Sequence, residues 1–300
     1  MATSGNLPKH LEVAARTGVL GAQAMDNMPY RRVAMEVDLT ARSTTFVDLG
    51  GMPIPSQNPK AVDTMVEKGK TVEPQDWYLT VTISGNAVKD DQTGQLLSRF
   101  QNILPAFQRH INDHVFTVLN AGDTATYGKG ITDASTFFAN AHLYPGGKNT
   151  TAQDNLNALT LSDVNFDTAW VAMSQRKDDQ GNYYNLNPNL LICNPSNNKI
   201  AANITGNTQS YSTANREMNP YANGVQYFTV SQFDTTAWVL IDENYPVKPL
   251  YVAIRERPTL MYDGIRFDPQ QEDGGRWYFH YQGRYVVGYG DPMLATMGNS

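Results

Sequence analysis

Leu96, Leu97, Phe100, Ile103, Leu104, Phe107, Ile111, Val115, Val118 and Leu119 recur at helical spacing. One apolar stripe is therefore sustained from Thr93 to Asn120. At 1.5 Å per residue such a helix spans roughly 40 Å, longer than most domain helices. Asp90, Asp91 and Thr93 suit its N-terminus, and Gly122 suits its stop. Pro105 falls inside the pattern and predicts a kink there. A rod of this length must be covered along its whole stripe, so the rest of the chain has to be built around it. In a chain with few catalytic clusters it reads as building material.

The surface points the same way. With 300 residues there is room for a large core in two lobes, yet only 17% of the residues are charged against 41% hydrophobic, below the usual charged share of about 25%. Asn, Gln, Ser, Thr and Gly fill the difference, which suits extensive contact between subunits and equally a polar monomer. A net charge of −6 argues against a basic nucleic-acid binder. The single cysteine, Cys193, excludes an internal disulfide and a thiolate zinc cluster, and its apolar neighbours Leu190 to Ile192 predict a buried, inert thiol. No apolar run reaches the roughly 18 residues that span a bilayer, and Met1 to Lys9 has no secretory core, so a cytosolic product is expected.

Along the chain, Met1 to Thr40 reads as an extended arm with helical turns at His10–Arg16 and Gly21–Asp26. Arg42 to Leu49 has strand character, and Gly50 to Pro59 is broken by prolines and glycines. The clearest strand alternates Trp77, Leu79, Val81 and Ile83 with Tyr78, Thr80, Thr82 and Ser84. Two strands with a long tip between them predict an extended hairpin. After the long helix, Ser162 or Asp163 caps a second helix carrying Val164, Phe166, Trp170, Val171 and Met173, and Asp178 to Gly181 makes a turn. A buried strand follows at Leu190–Cys193, then a helix opened by Pro195. Thr205 to Asn223 reads as a surface loop, and strands follow at Val225–Val230, Ala237–Ile241, Leu250–Ile254 and Trp277–Tyr289. That order predicts an α+β fold with one lobe inserted into the other.

The candidate chemical motifs are weak. Gly122 to Lys129 superficially matches a phosphate loop, but five residues separate its glycines, Gly130 follows the lysine, and it trails a helix instead of opening one. His110 and His114 have the i, i+4 spacing of two zinc ligands, with no evident third ligand. The pairs Asp90-Asp91, Asp178-Asp179 and Asp242-Glu243 are better explained as caps and turns. Arg255, Glu256 and Arg257 sit at the end of a strand before Pro258, solvated or paired across a subunit seam.

A run of short segments in fixed order resembles the major head subunit of Mu-like tailed phages. It comprises Val88-Lys89-Asp90-Asp91, Phe137-Phe138-Ala139-Asn140-Ala141-His142, Asn155-Leu156, Trp170 to Met173 and Lys177 to Gly181. It continues with Leu186 to Ile192, Ala237 to Leu240, Ile254 to Pro258, Tyr281 to Arg284 and Gly288 to Gly290. The resemblance covers Val62 to Tyr289 and departs at Leu143-Tyr144, where the family more often has His followed directly by Pro.

What this resemblance implies is the tailed-phage (HK97-like) capsid fold. An N-terminal arm would occupy 1–41, an extended loop hairpin 42–84, and a peripheral domain with the long helix 85–181. An axial domain would occupy 182–250, and return strands with a C-terminal tail 251–300. It implies self-assembly into hexamers and pentamers of an icosahedral head, with scaffold, portal and decoration proteins as partners and packaged DNA held nonspecifically. Neither catalysis, cofactor, metal nor membrane is implied, and the place is the virion, assembled in the host cytoplasm. An encapsulin-like nanocompartment shell shares the same fold, and a soluble hydrolase is the remaining alternative. The interface candidates are Arg42, Lys68, Lys70, Trp77, Arg255, Glu256 and Arg257.

Overall fold

A computed structural model describes residues 28–39, 44–47, 69–90, 104–129, 133, 135–143, 149–178, 181–206, 218–266 and 275–299. A 3-10 turn at Pro29–Arg32 leads into β1 (Ala34–Asp38), followed by β2 (Thr44–Val47), β3 (Gly69–Val72) and β4 (Gln75–Ser84). Helix α1 (Gly85–Asp90) and helix α2 (Leu104–Asn120) come next, then β5 (Leu156–Asn157) and α3 (Asp163–Ser174). After β6 (Leu190–Cys193) and α4 (Asn198–Gly206), the chain finishes with β7 (Gln226–Thr229), β8 (Trp238–Ile241), β9 (Leu250–Arg266), β10 (Arg276–Tyr289) and β11 (Ala295–Gly298).

Two sheets carry the architecture. One has the order β1-β9-β10-β4 and the other β5-β11-β8-β6-β7, while β2 and β3 form a separate antiparallel ribbon. Helix α2 serves both sheets. Ile111, Val115, Val118 and Leu119, the buried stripe read from the sequence, share one core with Val252, Ile254, Tyr285, Val287 and Tyr289 of the first sheet and Leu190, Ile192, Val239 and Ile241 of the second. Phe116 meets Phe228 of β7 edge to face, and the Tyr289 hydroxyl donates to the Val118 carbonyl at 2.7 Å. Thr93 to Ile103 lie outside the described residues, so the full length of this helix and the kink at Pro105 rest on the sequence alone.

Several sequence expectations hold. Ser162 caps α3 by accepting from the Asn165 N–H, and Phe166 and Met173 are buried. β6 is buried throughout. Pro195 opens a 3-10 turn that runs into α4.

Three expectations change. The hairpin closes earlier than Trp77: β2 pairs with β3, from Thr44 opposite Val72 to Val47 opposite Gly69, while β4 pairs with β10. Glu73-Pro74 separates the two pieces, because proline has no N–H to extend the ribbon. The strand expected to stop at Ile254 continues through Pro258 to Arg266. Its register against β10 slips three times, between Trp277 and Phe279 and, around the proline, between Gln282 and Arg284 and between Arg284 and Tyr285. The last two bulges accommodate the proline, and Gly283 packs against it, where an added Cβ would lie 3.3 Å from Pro258 Cγ. The segment after Tyr289, expected as a tail, forms β11 in the interior of the five-stranded sheet, between β5 and β8.

The segment Phe137 to His142 is a plug behind the end of α2. Phe137 stacks on Tyr289 with ring centroids 4.8 Å apart, and the Phe138 ring lies so close to Gly122 that an added Cβ there would approach it to 2.7 Å. Asn155, fully buried, ties this plug to the C-terminal strand. Its amide donates to Phe137 O and Pro292 O, both at 2.8 Å, and its oxygen accepts from Ala139 N at 2.7 Å and faces His142 Nε2 at 3.0 Å. The buried Arg176 guanidinium donates to Met293 O, Ala295 O, Asp154 O and Thr296 Oγ1. Asn155→Ala leaves several of these core groups without a partner, each worth about 1–3 kcal/mol. Urea unfolding is expected to show a loss of about 3 kcal/mol or more, and a loss below about 1 kcal/mol would mean that water replaces the amide.

Candidate interaction surface

Alternation on β10 divides the four-stranded sheet into two faces. Phe279, Tyr281, Tyr285, Val287 and Tyr289 are buried, whereas Tyr278, His280, Gln282, Arg284 and Val286 are only half-buried. Directly across from the second set lie Thr82, Thr80, Tyr78 and Asp76 of β4, all exposed. On the other side, His280 is opposite Met261 and Gln282 is opposite Thr259 of β9. The result is an outer face with an uncharged centre, in which Tyr78 is 68% and Met261 49% exposed. Thr80 Oγ1 and His280 Nδ1 are hydrogen-bonded at 3.0 Å within it.

Charges gather at one end of the sheet, on both of its faces. Arg284 on β10 bridges Asp76 on β4 and Glu256 on β9, and Arg257 on β9 reaches Glu36 and Asp38 on β1 at 3.4 and 3.1 Å. The bulges in β9 fall within this charged stretch; Glu256 pairs with Arg284 on the polar face, while Glu36 and Asp38, the partners of Arg257, share the opposite face with Val252 and Ile254.

Trp77 turns inward. Its indole donates to Tyr285 O at 3.0 Å and stacks on the Tyr285 ring at 5.6 Å. Arg255 is half-buried, and Lys70 lies opposite Phe46 in the β2–β3 ribbon. Arg42 and Lys68 lie outside the described residues. The polar face itself was missed by sequence reading, although the alternation of Tyr78, Thr80 and Thr82 with Tyr278, His280 and Gln282 could have shown it.

Two bolts fix the segment that leads into β1. The Tyr30 hydroxyl donates to Glu36, which also pairs with Arg31 at 3.0 Å. Burial works to raise the Glu36 carboxyl, but the Tyr30 hydrogen bond and the charges of Arg31 and Arg257 outweigh it and hold the group below the usual value. Arg32 grips Glu243 with two nitrogens, Nε at 2.6 Å, and also donates to Gln226 at 2.7 Å. Its guanidinium lies over the Phe228 ring at 5.6 Å. The hydrogen bonds from Arg32 depress the Glu243 carboxyl against the opposing effect of burial.

The chemical motifs resolve into structural roles. Gly122 backs the Phe138 ring, and its carbonyl accepts from Phe138 N. Asp178 accepts from Asn182, and Asp242 from Asn187 N and Asn244 N. Burial pushes the Cys193 thiol up to about 12. Among the described residues no group of three or more His, Cys, Asp or Glu side chains could hold a metal ion, and no helix is long and apolar enough to cross a membrane.

The architecture is a helix shared by two sheets, a separate two-stranded ribbon and a polar sheet face. The family description "Phage capsid protein" matches residues 67–295, and the chain belongs to that family. Comparison with curated proteins gives no match. Among solved structures, the procapsid of bacteriophage JBD30 is similar at 19% identity and a TM-score of 0.56, over 97% of this chain and 74% of that one. The structure titled "Mycobacterium phage Patience" is similar at 11% identity and 0.56, over 98% and 88%. The holo-SrpI encapsulin complex from Synechococcus elongatus PCC 7942 is similar at 8% identity and 0.55, over 92% and 88%. The fold is the HK97-like α+β capsid fold, and the protein is a phage major capsid protein, a structural component of the virion.

The Arg32–Glu243 bolt has a pH signature. A carboxyl held below its ordinary value of 4.5 stabilises the fold above that value and loses its contribution as pH falls through the depressed one. Arg32→Ala is expected to cost about 1–3 kcal/mol near neutral pH by urea unfolding. The gap to the parent protein should narrow below about pH 4.

Proposed function

We propose that this chain is the head subunit of a Mu-like tailed phage, closing hexamers and pentamers into an icosahedral container for double-stranded DNA. The observation that carries this reading is the family match over 67–295 together with the HK97-like fold. The Mu-like affiliation is supported by the ordered run of short segments from Val88 to Gly290. In this reading 1–41 is the N-terminal arm, 42–84 the extended loop, 85–181 the peripheral domain, 182–250 the axial domain and 251–300 the return strands. Hexamers need a heterologous contact that closes as a ring, and pentamers need nearly the same contact at another angle. The ribbon of β2 and β3 and the arm ahead of Met28 are the parts suited to absorb that difference.

Scaffold and portal proteins, and a decoration protein on the outer surface, complete the expected partners, with assembly in the host cytoplasm. DNA would be held nonspecifically, since a net charge of −6 gives weak attraction to phosphate. Arg42, Lys68, Lys70, Trp77 and the 255–257 triplet remain the proposed seam residues, joined now by the Tyr78/Met261 face. A second reading, a nanocompartment shell around cargo enzymes, draws on the similarity to the SrpI encapsulin fold. Nuclease-protected DNA inside purified particles supports the first reading, and packaged protein without DNA supports the second.

Deleting Gly50–Gly69 is expected to leave a soluble, folded subunit that no longer closes shells. Circular dichroism checks the fold, and sedimentation with negative-stain microscopy checks the particles. Normal shells from the deleted chain would overturn the role given to this loop.

A further inference from the structure

The root of the hairpin is held against the body by a cluster with unusual chemistry. Trp77, the third residue of β4, lies over two histidines on consecutive turns of α2, with ring centroids 4.5 Å from His110 and 5.4 Å from His114. The two imidazoles are 5.8 Å apart and nearly parallel. His110 Nδ1 is 2.6 Å from the Tyr285 hydroxyl on β10, and His114 meets Tyr127 edge to face at 5.7 Å. Apolar side chains would have served a purely structural seam.

We propose that His110 and His114 form a proton-operated latch, holding Trp77 and the start of β4 against α2 while both rings are neutral and releasing them when both are protonated. In the latched state the Tyr285 hydroxyl donates to His110 Nδ1, since burial raises that phenol and keeps its proton on. A proton taken from solvent at Nδ1 turns this acceptor into a donor. The hydroxyl must then rotate to accept, and its former bond is lost. One imidazolium under the indole is tolerated through its attraction to the aromatic face. The second meets a like charge one helical turn away, so the pair titrates as a coupled unit.

Few charges offset this: on the side of the 3-10 turn, β1 and β9, Arg31, Glu36, Asp38 and Arg257 pair with one another. On α2 itself, Asp113 favours the charged form of His110, but it also accepts from Gln232 Nε2 at 2.7 Å. Arg109 on the same helix is exposed. From β4 and β10 the nearest charged residues, Asp76 and Arg284, pair with each other on the opposite face. From the turn after α2, Asp123 is engaged by Asn299, and Tyr127 adds only its ring to the cluster. Burial lowers the proton affinity of both histidines, and His114 is lowered further by His110. Because the folded state disfavours the charged rings, the latch is firm above the ordinary histidine value of 6.5 and weakens as pH falls through the lowered values.

The full chain labelled with 5-fluorotryptophan tests this by 19F NMR, the Trp77 resonance being assigned with W77F. That resonance is expected to move with a midpoint below 6.5. Hydrogen exchange in residues 75–84, corrected for intrinsic rates, should speed up about tenfold for each unit by which the pair is lowered. The H110Q/H114Q variant should abolish both changes. H114Q alone, which removes the like charge, should raise the midpoint. A flat resonance, a shift without faster exchange, an unchanged response in the double variant or an unmoved midpoint in H114Q would each overturn the latch. Shell closure enters neither readout, so the latch and the head-subunit reading fail separately.

Discussion

The apolar stripe of α2 is the constraint on which the remaining structure depends. Ile111, Val115, Val118 and Leu119 must leave water, and burying side chains of this size gains roughly 1.5–3 kcal/mol each. No single sheet covers the stripe. The strands β9 and β10 take part of it, and beside it Phe116 meets Phe228 of β7 in the other sheet, whose β6 and β8 side chains belong to the same core. Both sheets are therefore positioned by the same helix, and a displacement of either is felt by the other through its side chains. The Tyr289 hydroxyl on the Val118 carbonyl fixes the helix along its axis as well as against the sheet.

Polar contacts then decide which segments are permanent. Asn155 and Arg176 bind mainly backbone carbonyls, so they lock the positions of chain segments more than the identities of side chains. Arg32 and Tyr30 do the same for the segment entering β1, with carboxylate partners 211 and six positions away in the chain. The outer face of the four-stranded sheet has a different character. Its central residues are uncharged and exposed or half-buried, and Asp76, Glu256 and Arg284 gather at one end, so its hydrogen-bonding groups cost less to desolvate than charges do.

Much of this was legible in the residues. The buried stripe of α2, the Ser162 cap, the buried β6 and the alternation of β4 all follow from spacing alone. The strands that escaped notice did so for physical reasons. Pro258 signals an end to β9, and only the bulges opposite Arg284 let the strand continue past it. Ala-Thr-Met-Gly at 295–298 is short and shows no clear two-residue period; Met35 and Val37 do alternate with Glu36 and Asp38, but over only five residues, and β1 owes its place to a parallel neighbour more than two hundred residues on. The 255–257 triplet was recognisable as charged and edge-like. Its partners Glu36, Asp38 and Arg284 were not, because nothing local records which distant strands lie alongside. The buried Asn155 and Arg176 carried no signal, since their partners are carbonyls that every residue has.

The position of β11 bears on how such a subunit is made. It lies between β5 and β8, and the main-chain groups of both neighbours stay open until residues 295–298 arrive. Pairing across such distances in the chain is slow, and unpaired strand edges invite association with other chains. The five-stranded sheet therefore cannot close while those residues are still unsynthesised or inside the ribosome. Translation itself acts as a timer, keeping each nascent chain from becoming a finished tile until residues 295–298 have emerged.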